Sequence, residues 1–122
     1  WIRIFTPNPR TERAPDCSNA EWEARCELAA IYRAVYKYRL TDLTNQWHAI
    51  HVPGEDALLI HHYGWMHEEV TAANLIKVGF DRANHNPENG EPNPSATEIG
   101  KLFFEATGGG WNAIRKARFF RP

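Results

Sequence analysis

The hydrophobic positions change period along the chain, and each period implies an element. Ala24, Leu28, Ile31, Val35 and Tyr38 step by 4, 3, 4 and 3 residues, the spacing of one helix face. Trp22, Cys26 and Ala29 widen that stripe, while Arg25, Arg33, Lys37 and Arg39 fall on the wet side. Ser18-Asn19-Ala20-Glu21 is a capping box: the hydroxyl can accept the N–H three residues on, and the glutamate can reach back. The pattern predicts a long helix from Ser18 to about Leu40. The period then drops to two. Residues 46–52 (QWHAIHV) and 57–62 (ALLIHH) flank Pro53-Gly54-Glu55-Asp56, which is a hairpin signal. Pairing Val52 with Ala57 sets Ile50 opposite Leu59 and His48 opposite His61, all on one face. Trp47, Ala49, His51, Leu58, Ile60 and His62 take the other face. Neither face is wholly polar, so both require cover.

Residues 65–70 carry no clear period. Thr71 can cap a single turn over 72–74, and Leu75 to Phe80 reads as a third strand. Residues 81–94, rich in proline and asparagine, read as a polar loop that is mobile by composition. Ser95 and Glu98 form a second capping box. Ile99, Leu102, Phe103 and Ala106 are the expected buried stripe of the helix behind it, and Gly108-Gly109-Gly110 ends that helix.

Composition narrows the classes. A chain of 122 residues suits one domain with a small core. No apolar run approaches the roughly 18 residues of a membrane helix, so no membrane span is expected. Lys and Arg number 14 against 15 Asp and Glu, a balance that disfavours wholesale binding to nucleic acid or anionic lipid. Cys17 and Cys26 are spaced to permit a bridge without demanding one, and thiols are expected. The chain opens on Trp1, and its one methionine is Met66. Removal of a targeting peptide would account for that, and a mitochondrial location is the expectation it gives. Residues 1–17 read as an extended arm with Trp1, Ile2, Ile4 and Phe5 at its tip. Residues 108–122 read as a glycine hinge and a tail that mixes Trp111, Phe119 and Phe120 with Arg115, Lys116, Arg118 and Arg121. Apolar side chains at both ends are expected to dock on protein partners, with nucleic acid limited to a local contact of the basic tail.

A family comes into view in the middle of the chain. LAAIYRAVYKYRLTDL (28–43) and HVPGEDALLIHHYGWMHEEVTAANLIKVG (51–79) resemble the opening helix and hairpin of class II aldolase/adducin-type domains, and EPNPS (91–95) resembles their approach to the next helix. The resemblance implies an α/β fold: a shortened class II aldolase/adducin-like domain over 18–107. A long N-terminal helix would pack on a small, mostly antiparallel sheet, with a second helix near the C-terminus. It also implies zinc-dependent chemistry on sugar phosphates, or the non-catalytic role of adducin heads. In the family's enzymes, histidines that include a His-x-His pair hold a metal, and an acid at the start of the second major helix moves the proton. A carbanion beside a carbonyl needs such a Lewis acid near pH 7. Here no His-x-His occurs, the last histidine is His85, and Ala96 and Thr97 stand where the acid is sought, with Glu98 one step late.

The expectation is therefore a non-enzyme: an accessory subunit of a larger assembly, held through both termini and an open sheet edge, with no cofactor. The alternatives are an aldolase or epimerase half completed by another chain, and a small adducin-like adaptor. His48, His61 and His67 are the residues that could hold zinc if any do. Adjacent His61 and His62 point to opposite faces and cannot share an ion. Glu68-Glu69 and Cys26 read as structural.

Overall fold

The computed structural model describes residues 16–107. In chain order these form α1 (Asn19–Lys37), β1 (Ile50–His51), β2 (Ala57–Ile60), β3 (Ile76–Gly79) and α2 (Pro94–Thr107), with 3-10 turns at His67–Glu69 and Pro87–Asn89. The strands make one antiparallel sheet in the order β1-β2-β3. This is the expected α/β arrangement of a long helix, a small sheet and a second helix.

The hairpin has the predicted register. Ile50 pairs with Leu59, and Val52 N–H donates to Ala57 O at 2.9 Å. The two faces separate as the alternation requires. Ile50, Val52, Ala57 and Leu59 join Ala24, Leu28 and Tyr32 of α1 in one core cluster. Ala49, Leu58 and Ile60 join Ile76, Val78, Ala96 and Phe104 in the other, against α2. Both faces are thus covered, as a sheet apolar on two sides demands. The outer edge of β3 is met by its own following loop. Gly79 N–H donates to Ala83 O, His85 N–H to Lys77 O, and Lys77 N–H to Asn86 Oδ1. β1 pairs with no strand but β2 among the described residues.

Several sequence expectations are corrected. Ser18 caps α1, accepting Glu21 N–H at 3.1 Å, but the helix stops at Lys37. Arg39 takes a positive φ of 55°, Leu40 N–H turns back to Val35 O, and Tyr38 is 69% exposed. Arg25 is not on the wet side: it is 1% exposed. The buried face of α1 runs through Glu21, Arg25, Leu28, Tyr32 and Val35, rotated from the apolar stripe by the buried ion pair it carries. α2 begins at Pro94. Its first N–H groups are met by Asn93, whose Oδ1 accepts Ser95 and Ala96, while the Glu98 carboxylate reaches Arg82 instead of closing a box.

The face of α2 also differs. Ala96, Gly100 and Phe104 are buried, whereas Ile99 is 48% and Leu102 63% exposed. A Cβ on Gly100 would stand 3.0 Å from Leu58 Cδ2, so the glycine sets how closely α2 lies on β2. The loop 81–94, expected to be mobile, is held by its asparagines. Asn86 meets Arg25 and Lys77, Asn89 donates to Ala73 O and Leu75 O, and Asn84 donates to Gly90 O. Cys17 and Cys26 are buried thiols beside Trp22, Ala29 and Ala72. Trp1, Ile2, Ile4, Phe5, Trp111, Arg115, Lys116, Arg118, Phe119, Phe120, Arg121 and the triple glycine lie outside the described residues.

Candidate functional site

The most concentrated polar chemistry in the fold surrounds one phenol. Tyr32 sits on the inner face of α1 and is fully buried. Its Oη accepts His48 N–H at 2.9 Å and lies 2.8 Å from both His48 O and His61 Nδ1. The rings of His48, His61 and His67 each stand 5.0 Å from the Tyr32 ring. His48 and His67 face each other Nε2 to Nε2 at 3.3 Å. The hairpin register carries His48 and His61 toward α1, and the 3-10 turn after the hairpin brings in His67. The sequence thus brings together the three histidines named as candidate ligands.

Burial sets their electrostatics. Desolvation pushes His61 down to about 4, helped by the neighbouring His67 and His62. His67 is lowered by desolvation as well, with the Glu68 charge opposing. Burial pushes the Tyr32 phenol well up. Burial therefore favours the neutral rings of His61 and His67 near pH 7. His62, one residue on, points the other way as alternation predicts: its Nδ1 accepts Glu91 N–H at 2.9 Å and its ring packs on Trp65. Glu69 accepts Met66 N–H at 2.8 Å.

The donor set does not fit a catalytic divalent ion. Zinc with an open position needs three converging ligands. Among the described residues, no group of three or more His, Cys, Asp or Glu side chains is arranged to hold one. Two histidines approach each other, and the third has its Nδ1 committed to Tyr32.

A second polar centre is not apparent from the sequence pattern. Arg25 donates from Nε to Glu21 Oε1, from Nη1 to the carbonyls of Ala72 and Leu75, and from Nη2 to Asn86 Oδ1. Lys77 joins Glu21 at 2.9 Å and Glu55 at 3.0 Å. Burial works to raise the Glu21 carboxyl, but hydrogen bonds from Lys77 and Arg25 outweigh it and hold it low. The network ties α1 to β3 and to the loop 84–89. The one signal for it in the sequence is the Glu21–Arg25 spacing of four residues, flanked by Trp22 and Leu28.

Comparison with known proteins places this frame. The profile of the class II aldolase and adducin N-terminal domain matches residues 26–100, which is more than half of the chain. The chain belongs to that family. A Pseudomonas aeruginosa protein is 43% identical over 61 residues, covering 50% of this chain and 24% of its own length. A Caulobacter vibrioides protein is 40% identical over 65 residues, covering 52% and 25%. Both carry provisional names as class 2 aldolase proteins. The crystal structure of an aldolase II superfamily protein from Pseudomonas syringae superposes with a TM-score of 0.65 at 33% identity, over 74% of this chain and 37% of that one. The chain spans about a quarter of the length of the curated relatives it matches.

These relatives overturn the expectation of a non-enzyme, because they point to an enzyme family. That expectation weighs missing ligands over a span equal to a quarter of a relative's length. The absence of a His-x-His pair and of an acid from that span does not decide whether the family's chemistry is retained.

Proposed function

We propose that the chain supplies the amino-terminal frame of a class II aldolase-type enzyme acting on a small sugar phosphate. The observation that carries this reading is the 33% identity and TM-score of 0.65 to a solved aldolase II superfamily protein, reached over 74% of the chain. Catalysis of this type forms a carbanion beside a carbonyl, and a bound divalent ion supplies the Lewis acid that takes up its charge. The described residues offer no donor set for that ion. In this proposal its ligands, and the acid that moves the proton, come from protein outside residues 16–107.

The described residues then have a supporting part. The Tyr32 cluster and the Arg25 network fix α1 and the 61–92 segment against the sheet. Rigid support of this kind holds a catalytic constellation within fractions of an ångström. The test uses protein purified gently from its source, so that any companion chain is retained. Solvent deuterium exchange alpha to the carbonyl of dihydroxyacetone phosphate is followed by NMR. The expected result is exchange that a chelator abolishes and zinc restores. No exchange above buffer, with zinc present and the protein folded, would overturn the proposal.

A further inference from the structure

The hydrogen bonds of the Tyr32 cluster fix its protons. Tyr32 Oη already accepts His48 N–H, and the His48 carbonyl at 2.8 Å can only accept, so the phenol proton goes there. His61 Nδ1, also 2.8 Å from Oη, is therefore the donor in that contact. His61 is left with a bare Nε2, buried and without a partner. Between His48 and His67 one proton bridges the two Nε2 atoms. His67 Nδ1 is buried and without a partner too. Exposure of His48, His61 and His67 is 5%, 2% and 1%. A proton added at His61 Nε2 meets no acceptor. One taken up at His67 Nδ1 meets none either.

We propose that this cluster is an acid-sensitive latch, in which proton uptake parts the 61–69 segment from α1. The cluster joins four pieces of chain: α1 through Tyr32, the approach to β1 through His48, the end of β2 through His61, and the 3-10 turn through His67. The charged groups that bear on His61 and His67 among the described residues are each other, His62 and Glu68, and Glu68 is the one carboxylate among these. One partly exposed carboxylate cannot balance two buried imidazolium rings, those of His61 and His67. Nothing in this inference depends on the proposed enzymatic role.

The direction follows from linkage. His61 binds its proton near 4 in the fold and near 6.5 in an opened chain. Between those values the opened chain holds a proton that the folded one lacks. Stability is therefore level above about 6.5 and falls as the pH drops toward 4. His67 acts in the same direction. The buried Glu21 acts in a lower window, because its carboxyl is held below the ordinary 4.5.

The test is urea unfolding of the full chain from pH 7.5 to 4.5. The folding constant is expected to fall by about tenfold to a hundredfold per pH unit below 6, one factor of ten for each histidine involved. His67→Phe should remove about one factor of ten per unit. A constant that stays level down to pH 5, or a slope that His67→Phe leaves unchanged, would overturn the latch. Histidine Cε1–H shifts of the unaltered chain give a reading that needs no variant. The rings of His61 and His67 should stay neutral until they are lost together on opening. Reversible titration of either near 6.5 within the folded state would overturn it.

Discussion

Arg25 shows how a charged residue comes to lie inside this fold. Its guanidinium is 1% exposed, and its hydrogen bonds go to Glu21, Ala72, Leu75 and Asn86. A buried cation is tolerable when its donors are met and an anion is paired with it. Removing it leaves Glu21 with Lys77 alone and strands Ala72 O, while Leu75 O keeps only Asn89, so Arg25→Ala is expected to cost about 1–3 kcal/mol. Comparison of urea midpoints with the unaltered chain measures that loss, and a loss below about 1 kcal/mol would contradict the network's role. Tyr32→Phe keeps the ring packing and deletes the hydroxyl. It leaves His48 N–H and His61 Nδ1 without their partner, and about 1–3 kcal/mol should be lost. Neither residue is legible as a site in the sequence. Arg25 reads as solvated because a period argument counts apolar side chains and cannot see a paired ion. Tyr32 stands beside Ile31 and one place off the apolar stripe, although it is the better buried of the two.

At the scale of elements, the hairpin is legible and α2 is not. Pro53-Gly54 fixes a turn, Gly54 takes a φ of 77°, and pairing Val52 with Ala57 across it gives the register observed. The meeting of His48 and His61 follows from that register. The arrival of His67 does not, because residues 65–70 carry no period. α2 offers two faces to choose between. The stripe expected from sequence carries Ile99 and Leu102, yet the helix buries Ala96, Gly100 and Phe104, because the small residues let it lie close on Leu58. Gly100→Leu should therefore lift α2 from the sheet, with a loss of at least about 3 kcal/mol read in thermal unfolding. Ile99→Ser with Leu102→Ser should stay within about 0.5 kcal/mol per site. The reverse order would restore the stripe expected from sequence.

For the whole molecule, the family is legible from landmarks in order, including Pro53-Gly54, Tyr63-Gly64 and Leu75-Ile76-Lys77-Val78. Whether the protein is an enzyme is not, because the ligands can be sought over only a quarter of a relative's length. What the described residues provide is a sheet covered on both faces, β3 closed at its edge by its own loop, and two buried polar centres that lock α1 in place. They form a frame, and the proposal places the metal outside residues 16–107. Zinc binding by the isolated 122-residue chain, measured by elemental analysis after dialysis, tests that division most directly. The expected result is well below stoichiometric zinc, unchanged by His61→Gln or His67→Phe. A stoichiometric, tightly held zinc that either substitution releases would contradict it, and would place the metal centre at His48, His61 and His67.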